Sequence, residues 1–446
     1  MKIFIGASAV LFATAVFFLF FSPRAVVLES PPVNPHTYRI GVGVKLQPHT
    51  SLPQNLPSVP EAEAPSSSPL ISEPVSKNRS NDIANQPPLE HPPAVAKAIY
   101  ITSWSAGSNA KIDSLIKLMA AQSLNAVVID IKDYSGYVAY RMDAPEVKAS
   151  GADRQIRILR LNGLIQKLHQ NNIYVIGRVT VFQDPVLASA HPEWALKNKT
   201  SGTIWLDKHG LAWLDPAVQS VWGYDVAIAR DALRRGFDEI NFDYVRFASD
   251  GDLSVIGYPF WDGKTPKHIV IKKFFAYLRE QLPDAKISAD LFGIATVKND
   301  DLGIGQIIED AYPYFDYLSP MVYPSHYGAG FLGYRNPAKH PYEVVKYSMD
   351  SALRRLMNYE SGGIMNNATN TNNVSATTSS FIIHNSQFHV KFRPWLQVFN
   401  LGAVYTKPMI EKEIRAVTDA LANNPQNSFA GWLLWDPTNM YSNYRG

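Results

Sequence analysis

Aspartates close one apolar run after another along this chain. Asp130 and Asp133 end AVVIDIKD, Asp184 follows IYVIGRVTVF, Asp243 lies in FDEINFDYVRF, Asp290 in SADLFG and Asp436 in GWLLWDP. Arg178, Arg246, Tyr323, His326 and Gln397 stand at comparable run ends, interleaved with Trp104, Tyr134, Tyr244, Trp395, Trp432 and Trp435. Carboxylates set among aromatic rings suit sugar chemistry. A pyranose offers apolar faces to Trp or Tyr, while one carboxyl protonates the glycosidic oxygen and a second acts as nucleophile or base. No Ser-His-Asp order or nucleophile elbow accompanies them, which argues against acyl transfer.

Asp243 and Asp290 are the candidate catalytic pair. In FDEINFDYVRF, Ile240 and Phe242 alternate with Asn241 and Asp243, so a strand would place Asn241 and Asp243 on one face. Arg246, three residues on, is expected beside Asp243, holding it ionised as a nucleophile or oxocarbenium stabiliser must be; the alternative is a structural ion pair. Asp290 is the expected general acid, its pKa raised by desolvation next to Leu291 and Phe292; otherwise it is a carboxylate bonded to loop amides. Asp130 and Asp133 either contact substrate hydroxyls or pair with Lys132 and Arg178. Asp436, before Pro437, either opens a turn or works beside a sugar platform of Trp432 and Trp435. Tyr323 and His326 are candidate hydroxyl contacts, and Trp205 and Trp213 are candidate platforms on an insertion. No His-x-Glu or closely spaced His/Asp set calls for a metal, and no cofactor is expected.

The elements that must position these residues alternate. Apolar runs begin near Ala98, Ala126, Ile173, Phe237, Lys286, Phe315, Arg393 and Phe429, and several are continuously apolar, as parallel strands covered on both faces tend to be. Between them lie helix-period faces: Ile112, Leu115, Ile116 and Met119; Trp222, Val226, Ala229 and Leu233; Ile271, Phe275, Leu278 and Leu282; Ile410, Ile414, Val417 and Leu421. This predicts an α/β fold, a (β/α)8 TIM barrel over residues 94–446 with the site at the C-terminal strand ends. A doubly wound sheet is the alternative, but Trp104 and Ser105 follow the first strand where a glycine-rich phosphate loop would stand. Two insertions interrupt the alternation: residues 183–216, expected to form a hairpin turning at Lys208, His209 and Gly210, and the Asn/Thr/Ser-rich residues 361–380.

Composition bounds the rest. The 446 residues include no cysteine, so disulfides, cysteine zinc sites and thiol nucleophiles are excluded. With 42 Lys and Arg against 39 Asp and Glu, the net charge of +3 lacks the excess of a nucleic-acid binder. Fifteen of the 31 prolines fall within residues 23–93, which read as a disordered tether. Residues 1–22 carry an uncharged apolar run with no good cleavage site after it, because Pro23 precedes Ala25 by two. They read as a signal anchor, or a signal peptide if cleaved. The expected partners are therefore a carbohydrate and, through the N-terminal helix, a membrane, with the barrel outside the cytoplasm.

YITSWSAG, VVIDIKDYSG, GFDEINFDYVRF, SADLFG, SPMVYPSHYG and GWLLWDP together resemble glycoside hydrolase barrel domains related to the α-amylase superfamily, over nearly all of the region from Lys97 to Gly446. The resemblance implies a (β/α)8 barrel acting on carbohydrate, and places Asp243 at the fourth-strand nucleophile position. The expected substrate is a poly- or oligosaccharide, one of the cell envelope among the candidates. Those enzymes usually carry a glutamate on the fifth strand and an aspartate on the seventh. Here the fifth offers Asp290 and the seventh, near Gln397, no carboxylate. A non-catalytic carbohydrate-binding or envelope scaffold protein on a degenerate barrel is the competing expectation.

Overall fold

The computed structural model describes residues 82–362, 390–424 and 427–445. The expected signal anchor, the tether as far as residue 81 and nearly all of the 361–380 insertion lie outside them. Among the described residues no helix is long and apolar enough to cross a membrane.

Eight parallel strands close into a barrel: β1 (Ala96–Ile101), β2 (Ala126–Lys132), β3 (Tyr174–Thr180), β4 (Glu239–Asp243), β5 (Ile287–Phe292), β6 (Tyr317–Met321), β7 in two pieces (Lys391–Phe392 and Trp395–Gln397) and β8 (Gly431–Trp435). The expected TIM barrel is thus observed. Closure comes from β8 against β1, where Ala96 faces Gly431. A Cβ on Gly431 would meet the Ala96 carbonyl oxygen at 1.9 Å, and its φ is 106°, so only glycine fits where the two strands meet.

The longer helices are α1 (Asn109–Ala121), α2 (Leu161–Gln170), α3 (Gln219–Arg235), α4 (Lys267–Gln281), α5 (Pro341–Glu360) and α6 (Lys407–Leu421). β5 and β6 are joined by short 3-10 turns, Gly293–Thr296 and Ile308–Asp310, in place of a full helix. Alternation sorts each strand into two layers. Ile99, Ile101, Val127, Ile129, Phe242 and Leu434 pack outward under the helices, while Ala98, Tyr100, Val128, Ile176 and Leu433 fill the barrel. At the bottom, Glu239 takes an ion pair from Arg393 and hydrogen bonds from Ser288 Oγ and Tyr174 Oη.

Residues 82–93 depart from the expected tether. Asp82 accepts from the backbone N–H groups of Asn162 and Gly163, at 2.8 and 3.1 Å. Gln86 N–H donates to the Arg235 carbonyl, and Leu89 N–H donates to Asp238 Oδ1 at 2.6 Å. Leu89 packs against the cluster inside the barrel. The segment's own donors and acceptors find partners on the barrel, so it is a strap and not free chain.

Candidate active site

The C-terminal mouth of the barrel is organised by Arg178. It lies on β3 opposite Asp130 on β2 and Asn241 on β4, and its side chain is buried. Its Nη1 donates to Asp130 Oδ1 at 2.6 Å, while Nε and Nη2 both donate to Asp243 Oδ2, at 3.1 and 2.5 Å. The same Nε is 3.8 Å from Asp290 Oδ2. One guanidinium therefore joins three carboxylates from three strands, the planar fork doing what an ammonium could not. Burial alone would lower the Arg178 pKa, but Asp243 and Asp130 outweigh it, and the group is held well above its usual range.

Asp243 ends β4, as its alternation with Phe242 predicts. Its Oδ1 accepts from the N–H of Tyr244, whose φ of 54° is left-handed. A bulky residue held there is strained, and the kink turns the chain out of the barrel immediately after the carboxylate. Asp290 on β5 is 1% exposed. Its Oδ1 accepts from Asn241 Nδ2 at 2.9 Å and Trp395 Nε1 at 2.8 Å. Burial, then the charge of Asp243, push its pKa well above the carboxylate range, with Arg178 opposing. Neighbouring Leu291 was expected to supply that desolvation, but it faces the helices; the barrel interior supplies it.

Asp130 is pushed up to about 6 by burial, partly offset by Arg178. Its Oδ2 accepts from Tyr100 Oη at 2.5 Å. Tyr100 stacks on Trp435, with ring centroids 3.9 Å apart and planes 17° apart, and Trp395 meets Trp435 edge-on at 5.3 Å. Arg178 lies 5.2 Å from the Trp435 ring centre. Tyr323, buried at the end of β6, has its hydroxyl pKa raised by burial and by Asp290 and Asp243, so it belongs to the same cluster. His326 follows it. Burial pushes its imidazole down to about 4; Nδ1 is 3.0 Å from Ser325 Oγ, and among the described residues the buried Nε2 has no hydrogen-bond partner.

Other expectations give way to tertiary structure. Arg246 makes no ion pair with Asp243, a place Arg178 takes. It lies over the rings of Trp213, Tyr244 and Phe292 and donates to Ser249 Oγ. The bulge between Asp130 and Lys132 sets Lys132 opposite Val179, facing outward, so it pairs with Asp184 and Asp225 rather than with Asp130. Asp133 pairs with Arg157 at 2.7 Å and not with Arg178. The 183–216 hairpin turns where expected, but Trp205 and Trp213 are its core. Both are buried, their Nε1 atoms donating to the Asp252 carbonyl and to Asp207. Trp432 points under the helices, leaving Trp435 to wall the site. Asp436 is consumed by its turn, accepting from Thr438 N–H, Thr438 Oγ1 and Tyr441 N–H. Gln397 binds the Ser325 N–H and the Phe399 carbonyl, so the end of β7 adds no acid. Tyr100 is the residue that sequence reasoning missed. Its signal was the small–small–large spacing of Ala96, Ala98 and Tyr100, which marks the inward face of β1.

A closed parallel barrel of eight strands with helices outside it is a TIM barrel, and its C-terminal mouth, where such folds carry their sites, gathers carboxylates, an arginine and stacked aromatic rings. Residues 98–441 match the family model described as "Putative glycosyl hydrolase domain". The chain belongs to that family, and is a glycoside hydrolase by that membership.

A search of curated proteins finds no match. Among solved structures, a hypothetical protein from Ruminiclostridium thermocellum is 39% identical, the alignment covering 46% of this chain and 98% of that one, with a TM-score of 0.40. The α-galactosidase TtGalA from Thermus thermophilus is 13% identical over 78% of this chain and 59% of its own, with a TM-score of 0.42. Eubacterium rectale Amy13B is 12% identical over 79% and 67%, also with a TM-score of 0.42. Among the described residues no cluster of three or more His, Asp or Glu is placed to hold a metal ion.

Proposed function

We propose that this barrel cleaves O-glycosidic bonds in an oligo- or polysaccharide, with Asp290 as general acid and Asp243 as nucleophile or oxocarbenium stabiliser. The observation that carries this reading is the split environment of the two carboxylates. Asp243 receives two N–H donors from a fixed guanidinium, whereas Asp290 is buried and repelled by Asp243, which keeps its proton. Pairs of carboxyls with environments pushed apart are the pattern of acid and base in glycoside hydrolysis. Asp290 protonates the departing oxygen while Asp243 meets the positive charge growing at the anomeric carbon. Tyr100 and Trp435 offer an apolar wall for the sugar face, and Asp130 a carboxylate for its hydroxyls.

Asp243→Asn and Asp290→Asn variants test the assignment on a panel of oligosaccharides. Each should retain the parent's circular dichroism and lose turnover by at least about 10²-fold. Undiminished turnover in either would overturn its role. Sugar binding without turnover by the parent would select the scaffold reading, which the missing β7 acid motivates. We also propose that residues 1–22 anchor the barrel to a membrane on its outer side, placing an envelope glycan within reach. Membrane fractionation of the full chain against a 23–446 truncation tests this.

A further inference from the structure

All nine tryptophans lie among the described residues, and Trp104 alone is exposed, at 53%. It stands on a four-residue helix, Ser103–Ala106, that follows β1 at the C-terminal mouth, four residues beyond Tyr100. Its neighbours Ser103 and Ala106 are buried, so the helix is packed down while the indole is held out.

The mount is fixed on three sides. Thr102 Oγ1 accepts from the Ser105 N–H at 3.2 Å, and the Thr102 N–H and hydroxyl both donate to Asn439 Oδ1, at 2.9 and 3.1 Å, which ties the helix to the loop after β8. Gly107 closes the helix against the loop after β2 so tightly that a Cβ there would meet the Arg157 carbonyl oxygen at 2.1 Å. The Arg157 guanidinium lies 4.9 Å from the indole ring centre. It is pinned in turn by Asp133 Oδ2 at 2.7 Å and Ser103 Oγ at 3.2 Å.

Arg157 covers one face of the ring, so the exposure falls on the other. A flat apolar face, positioned before anything binds, can take the apolar face of a pyranose at little ordering cost. Its place selects such an occupant over a protein surface. Tyr100 stacks on Trp435 and bonds Asp130, and Asp133 follows Asp130 by three residues, so Trp104 continues the aromatic wall of the site outward along the ends of β1 and β2.

We infer that Trp104 is an outer sugar platform, stacking on a ring beyond those that flank the cleaved bond, and that the substrate is a chain of several units lying across the loops after β1 and β2. This deepens the glycosidase reading of the mouth and rests on it. Asp133, a candidate hydroxyl contact by sequence, serves here by holding Arg157 against the indole.

The probes are maltose and maltohexaose, cellobiose and cellohexaose, and the dimer and hexamer of β-linked N-acetylglucosamine, measured for affinity and turnover with the full chain. In at least one series the hexamer should bind tighter than the dimer. Trp104→Ala should weaken the hexamer by about 10-fold more than the dimer, the worth of one stacked ring, and Trp104→Phe should recover part of that loss. An unchanged thermal midpoint shows the fold intact. Equal losses at both lengths, no loss at either, or binding of none of the six sugars would overturn the platform. A length-dependent loss of affinity with no turnover by the parent would instead overturn the hydrolytic reading alone, and hexamer turnover indifferent to Trp104 the platform alone.

Discussion

Arg178 donates to Asp130 and Asp243 at once and stands within 3.8 Å of Asp290, so its shape matters more than its charge. Lysine at this position keeps the charge and loses the fork. Arg178→Lys should lower kcat/KM by about 10²-fold while leaving the fold folded, measured against the parent on one substrate. Asp290 makes a prediction about pH. Its folded pKa is raised, so it is protonated at low pH and loses that proton only above the usual carboxylate range. Activity that depends on it as an acid should be sustained in mildly acidic solution and fall as pH rises through that raised value. Asp290→Asn should abolish this alkaline limb. It should also cost least on aryl glycosides, whose leaving groups depart without a proton; equal loss on aryl and alkyl glycosides would refute the acid role.

At the scale of elements, two parts assigned by sequence to binding or to disorder turn out to be structural. Trp213 is 1% exposed and ties its hairpin together through Asp207. Trp213→Ala should therefore destabilise the fold by about 3–5 kcal/mol in denaturant titration, where a sugar platform would change only KM. The second part is the strap. The residue preceding α2, Arg160, provides no side-chain cap, and Asp82, remote in sequence, accepts from the first-turn N–H groups of Asn162 and Gly163 instead. It is a capping residue supplied by another segment, and a carboxylate at a helix N-terminus is favourable for its charge as well. Asp82→Ala should lower stability by about 1 kcal/mol, while a chain beginning after residue 93 should lose more, since Leu89 leaves the barrel floor with it.

Across the whole molecule, buried carboxylates outside the mouth set how stability depends on pH. Lys132 faces both Asp184 and Asp225 in the layer between barrel and helices. One cation cannot fully compensate two buried anions, and burial pushes Asp225 up to about 7. Its folded pKa lies above its unfolded one, so the folded state holds more protons between them. Stability from this group is complete below about pH 4 and is lost as pH rises through about 7. The thermal midpoint should accordingly fall between about pH 5 and about pH 8, and Asp225→Asn should flatten that slope. An unchanged slope in the variant would assign the dependence elsewhere, Asp130 being the next candidate because it also titrates near 6.

Period and composition by themselves determined the strand sequence, the inward face of β4 with Asn241 and Asp243, and the C-terminal ends as the place of the carboxylates. These follow from the two-residue repeat of a strand and need no partner to be known. What only the tertiary structure decided is which groups meet. Arg178 took the place expected of Arg246 because adjacent strands of a parallel barrel bring β3 beside β4, a contact between residues 65 apart in the chain. The bulge after Asp130 turned Lys132 outward, because a one-residue change of register exchanges the two faces of a strand, whereas Trp432 and Trp435, three apart on an unbroken strand, fall on opposite faces and only Trp435 enters the site. Proline counting placed the end of the tether about ten residues late for the same reason: the bonds that hold residues 82–93 are all to groups far along the chain.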